Sequence, residues 1–266
     1  MRILVTGAHG YIGGKFQEYV STQTDHMVER LEVRTNIWEE KDFSCFDAVV
    51  HAAGLVHQSA RSATHEDYQR TNCDLTIQIA EKAKREGVKH FLFISSASVY
   101  GIVEGVIHKD TLPNPQNDYG KTKLDAENAL RGLHELSFVV TILRLPMVYG
   151  TGCKGNYQQL VKLARFAPVF AAYHNQRSLI SIENLTRTMC NFLENPVGGI
   201  FFLQDPQYVS TCDLIADIAR GNGKKIHLTK FLNPVIWILK ATTLQGRKAF
   251  GDFIFAEKDC CIERFG

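Results

Sequence analysis

The chain has 266 residues, of which 45% are hydrophobic and 22% charged, the balance of an ordinary globular protein. Its formal net charge is +2 and the charges are dispersed, which gives no indication of nucleic acid or an anionic membrane as a partner. No apolar run approaches the ~20 residues that a membrane span needs. The start MRILVTGAHG also lacks the pattern of a secretory signal. We therefore expect a cytoplasmic protein with no membrane partner.

Cysteine and histidine usage gives no indication of a metal site. The seven cysteines are scattered apart from the Cys260–Cys261 pair, and none forms a C-x-x-C pattern. Reduced thiols and no bound metal are the expectation for such a chain. We interpret His51, His57 and His90 as core or strand-end residues rather than as ligands.

Short apolar runs alternate with helical patterns along the first half, as they do in consecutive βαβ units. Helices are predicted at about 11–20, through 77–83 and near 119–133, and strands at Arg2–Val5, Met27–Val33, Asp47–His51, His90–Ile94 and Phe138–Leu143. Continuous β-branched runs such as FVVTIL fit parallel strands that are covered on both faces. The predicted fold class is therefore α/β, with a doubly wound parallel sheet of the Rossmann type.

A glycine-rich loop, Thr6–Gly13 (TGAHGYIG), follows the first predicted strand and begins the first predicted helix. Gly7 suits the tight turn, and Gly10 lets the backbone approach a pyrophosphate at the helix N-terminus. Gly13 allows the helix to pack closely on the strand. The loop also supplies the other candidate cofactor contacts, which are His9, Tyr11 and Ile12. A strand–helix turn that binds no ligand is the alternative interpretation.

An acidic residue at the end of the second predicted strand bears on which dinucleotide is bound. Glu32 lies about 20 residues after the loop, where a carboxylate holds the adenosine ribose of NAD. Arg30 and Arg34 flank it, and either could meet a 2′-phosphate instead. A solvated charge cluster is an equally good interpretation, so the sequence favours NAD over NADP only slightly.

A hydroxyl, a phenol and an ammonium are predicted to meet at one edge of the sheet. Tyr119 and Lys123 are one helical turn apart on the same face of a helix. They follow the run FISSASVYG, in which a buried strand ends in a hydroxyl cluster that includes Ser96 and Ser98. These groups would lie at the carboxyl edge of a parallel sheet, where doubly wound folds bind ligands. An incidental Tyr and Lys on a surface helix is the alternative.

The chemistry explains why these residue types are needed. A free tyrosine has a pKa of about 10, too high for proton exchange with an alcohol near neutrality. A nearby ammonium and an oxidised nicotinamide would lower that pKa. Tyr119 could then act as the acid/base on a sugar oxygen. Ser96 would donate a hydrogen bond to the same oxygen, and Lys123 would also hold the nicotinamide ribose.

Together these motifs resemble the NAD-dependent epimerase/dehydratase branch of the extended short-chain dehydrogenases. The matching stretches, in the family's order, are TGAHGYIG, HAAG (His51–Gly54), Y-x-x-x-N (Tyr68–Asn72), SSASVYG, YGKTK and LRLPMVYG (Leu143–Gly150). The resemblance implies that Ala52, Ala53 and Gly54 run beside the cofactor. It implies that Asn72 supports the helix behind the active site, and that Pro146 and Met147 lie near the nicotinamide.

The resemblance extends into the second half. After Gly150 the pattern changes to more isolated helices and fewer core strands, so we expect an NAD(P)-binding domain at residues 1–150 and a smaller substrate-binding lobe at 151–266, of which about 178–203 returns to the main sheet. Arg177, in NQRSLISIENL, resembles the arginine that grips the diphosphate of a nucleotide sugar. Asn156 and Tyr157 resemble residues near the sugar nucleotide, and Ser178 stands where the family usually has aspartate. Phe231–Leu244 is interpreted as a helix that closes this lobe rather than one that lies on a membrane.

Three functions remain open on this resemblance. The first is a 4-keto-reductase that acts on a UDP-linked 4-keto-6-deoxy sugar for surface polysaccharide, which the short second lobe and the KGNY and NQRSLISIENL stretches favour. The second is a UDP-hexose 4-epimerase, which uses the same serine, tyrosine and lysine. The third is a non-catalytic dinucleotide sensor, although such proteins commonly lose the tyrosine or the lysine. The sequence does not decide whether the chain forms a homodimer.

Overall fold

The structure is a computed structural model that describes residues 1–56, 63–153, 155–256 and 261–265. The strands in chain order are β1 Arg2–Thr6, β2 Met27–Leu31, β3 Ala48–His51, β4 His90–Ser96, β5 Gly105–Ile107, β6 Val139–Leu145, β7 Met147–Tyr149, β8 Val169–Ala171, β9 Leu179–Ser181, β10 Gly199–Phe202, β11 His227–Thr229, β12 Phe253–Phe255 and β13 Cys261–Arg264. His57, one of the three histidines interpreted above, and Cys260 lie outside the described residues.

The helices are α1 Tyr11–Gln23, α2 Ile37–Glu40, α3 His65–Tyr68, α4 Leu75–Arg85, α5 Asp118–Leu133, α6 Asn156–Phe166, α7 Ile182–Glu194, α8 Thr211–Gly221, α9 Asn233–Thr242 and α10 Leu244–Phe250. A π-helical turn, Gln69–Asp74, joins α3 to α4, and 3₁₀ turns lie at Ala97–Tyr100 and Lys230–Leu232. No helix in the described part of the chain is both long and apolar enough to cross a bilayer.

The central sheet has seven strands in the order β13-β10-β6-β4-β3-β1-β2, and every pairing is parallel except that of β10 with β13. The chain goes from β1 outward to β2 and then returns to the other side of β1 to form β3. The strand order therefore reverses between β1 and β3, and the carboxyl ends of these two strands flank the crevice where such sheets bind ligands.

Apolar layers cover both faces of the sheet. On one face α2, α4 and α5 pack through a cluster that includes Trp38, Ile79 and Leu130. On the other face α1 and α7 pack through a cluster that includes Phe16 and Met189. Helices on both faces of a parallel sheet define a doubly wound α/β fold, so the predicted fold class is confirmed.

The elements after residue 150 divide their contacts. Strand β10 pairs with β6 in the central sheet, whereas β7 pairs with β9, β8 with β11 and β5 with β12 in separate two-stranded ribbons. Helices α6 and α8 share a smaller apolar cluster with Leu179 and Ile215. The division into a domain and a lobe at residue 150 stays a prediction.

Two of the histidines interpreted as core residues are buried. His51 lies between the hydroxyls of Thr6 and Thr76, with Nδ1 at 2.8 Å and Nε2 at 3.0 Å. Burial, and to a lesser extent the charge of Lys123, lower the pKa of His51 to about 3. Burial lowers the pKa of His90 to about 4. Both rings therefore stay neutral near pH 7.

Candidate active site

The first turn after β1 is held against the loop that follows β3. Gly7 has a φ of +87°, which favours glycine, and its N–H donates to the Leu31 carbonyl at 3.0 Å. A Cβ at Gly7 would lie 3.0 Å from Cα of Ala53. The two loops thus meet backbone to backbone at the point where the strand order reverses.

Helix α1 begins at this point without a side-chain cap. Gly10 is the N-cap residue, and the first turn holds no acidic side chain. The N–H groups of a helix's first turn have no partner within the helix and attract anions. A Cβ at Gly13 would lie 3.0 Å from Val5, so this glycine lets α1 pack closely on β1. The hydroxyl of Tyr11 reaches across to the Thr151 carbonyl at 3.1 Å. These features fit the diphosphate of a dinucleotide.

The carboxylate of Glu32 lies beside this loop. One oxygen accepts hydrogen bonds from the N–H groups of Val33 and Arg34, each at 2.9 Å. The other oxygen lies 3.4 Å from Nε2 of His9. Arg30 turns toward α1, where its Nη1 lies 3.4 Å from Oε1 of Gln17. Arg34 is exposed, so of the two flanking arginines it is the one free to approach a 2′-phosphate.

We expect the wild-type protein to bind NAD(H) more tightly than NADP(H), because Glu32 would accept hydrogen bonds from the adenosine ribose hydroxyls. Glu32→Ser should weaken NAD(H) binding about 10- to 100-fold, the range for a hydrogen bond to a charged group, and shift preference toward NADP(H). Calorimetric titration of both cofactors measures this, with Glu29→Ser on the same strand as the control. A wild type that already prefers NADP(H) would contradict the assignment and point to Arg34.

The loop after β3 is shaped by one glycine and one buried amide. Asn72, on the π-helical turn, accepts from the Leu55 N–H at 2.7 Å and donates to the Leu55 carbonyl at 3.1 Å. A Cβ at Gly54 would lie 3.1 Å from Oδ1 of Asn72 and 3.4 Å from Nζ of Lys123. Because Gly54 has no side chain, the Asn72 amide and the Lys123 ammonium can both lie close to the backbone of the loop that follows β3 and begins at Ala52.

Tyr119 is placed by the first turn of α5. The side chain of Asn117 caps this helix by accepting from the Gly120 N–H at 2.8 Å. A Cβ at Gly120 would lie 2.5 Å from the Ser98 carbonyl oxygen, so glycine lets α5 approach the turn that follows β4. The hydroxyl of Ser96 hydrogen-bonds the Tyr119 phenol. Ser98 completes the group through its hydroxyl, 3.1 Å from that of Ser96.

Lys123 is buried one turn further along α5, with only 3% of its surface exposed. Its Nζ donates to the Ile94 carbonyl at 2.9 Å and lies 4.4 Å from the centre of the Phe93 ring. Burial lowers the pKa of Lys123 to about 8, against the opposing effect of the Glu127 carboxylate. The ammonium is therefore charged at neutral pH and loses its charge at mildly alkaline pH.

Burial raises the pKa of Tyr119, the hydrogen bond with Ser96 lowers it less, and Tyr68 raises it further. The phenol therefore carries its proton at neutral pH. That Lys123 and a bound oxidised nicotinamide together lower this pKa stays a prediction.

A buried ionic network behind α5 escaped the sequence analysis. Arg144 on β6 donates to both oxygens of Glu127, at 3.1 and 2.6 Å, and to the Tyr100 hydroxyl at 2.5 Å. Ser95 also donates to Glu127. Because Glu127 is one turn after Lys123, the network fixes the helix that carries both Tyr119 and Lys123.

The other predicted contacts lie in or near the second half. Pro146 separates β6 from β7, and Met147 on β7 packs in the apolar cluster of α6 and α8. Tyr157 on α6 is half-buried, with its ring centre 6.2 Å from that of Tyr149. Asn156 begins α6, and its side chain lies outside the described part of the structure.

Arg177 is held by the chain just after α10. Its Nη1 donates to the Gly251 carbonyl at 3.0 Å, and its guanidinium lies 5.8 Å from the centre of the Phe253 ring. Among the described residues Arg177 forms no ion pair within 4.0 Å. Burial lowers its pKa, against the more distant carboxylates of Asp252 and Glu104. The neighbouring Ser178 is buried and accepts from the Phe255 N–H at 2.8 Å.

The fold and these groups define a class of protein. A doubly wound sheet with an uncapped helix at its strand-order reversal, beside a serine, a tyrosine and a lysine, is the arrangement of the extended short-chain dehydrogenases. The model of the NAD dependent epimerase/dehydratase family matches residues 3–199, and the chain belongs to that family. The resemblance seen in the sequence is thereby confirmed.

Relatives of the chain include both epimerases and reductases. It is 29% identical over 244 residues to a UDP-glucose 4-epimerase of Vibrio cholerae, covering 82% of this chain and 74% of the relative. It is 24% identical over 239 residues to the UDP-2-acetamido-2,6-beta-L-arabino-hexul-4-ose reductase of Pseudomonas aeruginosa, covering 86% and 60%. The fold is similar to that of UDP-glucuronic acid 4-epimerase from Bacillus cereus in complex with NAD, with a TM-score of 0.70, 24% identity and coverage of 86% and 87%.

Proposed function

We propose that this protein is an NAD(P)-dependent oxidoreductase that acts at C4 of a UDP-sugar, and that it reduces a 4-keto-6-deoxy sugar for surface polysaccharide synthesis. The observation that carries the proposal is the half-buried Tyr119 phenol, hydrogen-bonded to Ser96 one helical turn before the buried Lys123. The uncapped start of α1 and the adjacent Glu32 support a dinucleotide beside this group. The relatives named above support the nucleotide-sugar substrate.

Three side chains have separate roles in such a reduction. When bound, a reduced nicotinamide would supply the hydride that the carbonyl carbon accepts. Tyr119 gives its proton to the carbonyl oxygen, so that ketone, hydride and proton together make one alcohol. Ser96 donates a hydrogen bond to the same oxygen and favours the charge that develops on it. Lys123 holds the cofactor ribose and supplies a positive charge near the phenol.

Tyr119 is in the protonation state that a reduction needs at its start. Burial raises the pKa of the phenol, so the phenol carries a proton at neutral pH that it can give to a carbonyl oxygen. Epimerisation is the second candidate, favoured by the relative from Vibrio cholerae.

Cofactor stoichiometry separates the two candidates. We expect the protein to consume one reduced nicotinamide for each molecule of a UDP-4-keto-6-deoxy sugar converted, followed by nicotinamide absorbance and by chromatography of the nucleotide sugar. With UDP-glucose or UDP-N-acetylglucosamine we expect no conversion. Interconversion of UDP-hexoses with catalytic NAD and no net change in reduced nicotinamide would instead establish the epimerase.

Arg177 is proposed to grip the diphosphate of the substrate. Arg177→Met should raise KM for the nucleotide sugar about 10- to 100-fold, because it removes hydrogen bonds to a charged group, and should change kcat much less. Initial rates at saturating cofactor measure both constants. Cofactor affinity and melting temperature serve as controls, since the bond to Gly251 is also lost. An unchanged KM would contradict this role.

A further inference from the structure

Helix α9 presents an apolar surface to solvent. Phe231, just before the helix, is 89% exposed, Trp237 is 61% exposed and Ile238 is 63% exposed. The whole exposed set, which we call the α9 surface, comprises Phe231, Val235, Trp237, Ile238, Leu239 and Leu244. The sequence-based expectation that this helix closes the substrate lobe accounts for its inner side and leaves this surface unexplained.

The inner side of α9 combines an apolar contact with polar ones. Ile236 is buried and Asn233 donates to the Ala172 carbonyl at 3.2 Å. Lys240, one turn after Ile236, pairs with Glu104 at 2.7 Å and donates to the Tyr173 hydroxyl at 3.1 Å. A surface helix of a globular protein normally turns its apolar side inward. In α9 the charged side chain points inward and most of the large apolar side chains point outward.

The chain around α9 is strongly basic. Residues 218–251 contain seven Lys and Arg and no Asp or Glu, in a chain whose overall net charge is only +2. Two of the seven are in ion pairs, Arg220 with Asp217 and Lys240 with Glu104. The other five are exposed and enter no ion pair among the described residues; they are Lys224, Lys225, Lys230, Arg247 and Lys248. These exposed cations thus lie close in the chain to the exposed apolar side chains of α9.

We propose that the α9 surface docks the protein on the face of an anionic phospholipid bilayer. The apolar side chains enter the boundary between headgroups and acyl chains, and the five cations contact anionic headgroups. Trp237 suits this position because an indole combines a large apolar ring with one N–H donor. This departs from the expectation of no membrane partner, which rested on net charge and the absence of a spanning segment.

The five cations also argue against a second copy of the chain as the occupant. A two-fold interface brings the same patch of both subunits together. Self-association through the α9 surface would therefore bring two sets of unpaired cations close to one another, which is unfavourable, whereas an anionic bilayer neutralises them. The docking is independent of the sugar substrate.

Vesicle binding tests the proposal. We expect the protein to sediment with vesicles of equal parts phosphatidylcholine and phosphatidylglycerol, to bind pure phosphatidylcholine much less, and to be released by high salt. Of the two tryptophans, Trp38 is buried and Trp237 is exposed. A blue shift of the fluorescence on binding therefore reports the transfer of Trp237 from water into lipid. Phe231→Ser/Ile238→Ser keeps this reporter and should weaken binding about tenfold or more, because two large apolar side chains no longer enter the lipid.

The matched control is Met27→Ser/Leu136→Ser, which removes two apolar side chains that are 66% and 100% exposed at the amino ends of β2 and β6. This variant should bind like the wild type, and circular dichroism should show both variants folded. No binding by the wild type, or equal binding by the Phe231/Ile238 variant, would overturn the proposal. A dimer in sedimentation analysis that only this variant loses would also overturn it, by identifying a second copy as the occupant.

Discussion

Replacing Tyr119 by phenylalanine should lower turnover with a nucleotide-sugar substrate by ~10²–10⁴-fold, the usual contribution of positioned proton transfer. The ring still packs, but the oxygen that exchanges a proton with the sugar is gone. Cofactor affinity should change little, because the phenol contributes little to binding before the reaction. Steady-state rates and calorimetric titration of NAD(H) measure the two effects separately.

The pattern across neighbouring variants makes this prediction specific. Tyr68→Phe removes the other phenol near Tyr119 and should leave turnover close to normal. Ser96→Ala should cost less than Tyr119→Phe, because water or Ser98 can replace part of its hydrogen bond. Lys123→Met should damage both turnover and cofactor affinity. Near-normal turnover in Tyr119→Phe would contradict the proposed mechanism even if the cofactor assignment is correct.

Gly10→Val should abolish binding of both NAD(H) and NADP(H) while the protein stays folded. Gly10 has a φ of −70°, which valine adopts readily, and its Cβ would lie 3.1 Å from the Gly7 carbonyl oxygen, a contact that needs only a small adjustment. The valine methyls would occupy the space in front of the free N–H groups of α1, where the diphosphate must lie. Calorimetric titration tests this.

A substitution one turn further along gives the control for Gly10→Val. Gly14→Ala adds a methyl whose nearest neighbour is Nη1 of Arg30 at 3.4 Å, an ordinary contact. It should leave cofactor affinity unchanged, and both variants should melt cooperatively. Unchanged affinity in Gly10→Val would mean that the loop does not hold a diphosphate.

Local sequence patterns predicted the parts of the fold that depend on local chemistry. The strand, glycine turn and helix at residues 2–23 follow from an apolar run and the spacing of Gly7, Gly10 and Gly13, and the structure places each of them in that order. The central strands were predicted to within a few residues, because a continuous apolar run is typical of a parallel strand that is covered on both faces.

Features that depend on distant partners had no such local signal. The pairing of Glu127 with Arg144 joins a helix to a strand, and each residue alone looks like an ordinary charged side chain. Ribbons such as β5 with β12 have three residues per strand, too few to show a period, and pair segments far apart in the chain. The apolar residues of α9 look in the sequence like those of a core helix. Which of them are exposed depends on the elements that pack against α9 in the folded protein.

The proposed reaction transfers a hydride to C4 of a nucleotide-linked sugar. It is tested most directly with reduced cofactor in which deuterium replaces both hydrogens at C4 of the nicotinamide, incubated with a UDP-4-keto-6-deoxy sugar. Mass spectrometry and NMR of the product locate the label. We expect one deuterium per product, bound at C4 of the sugar. A product without deuterium, or with deuterium at another carbon, would contradict the account.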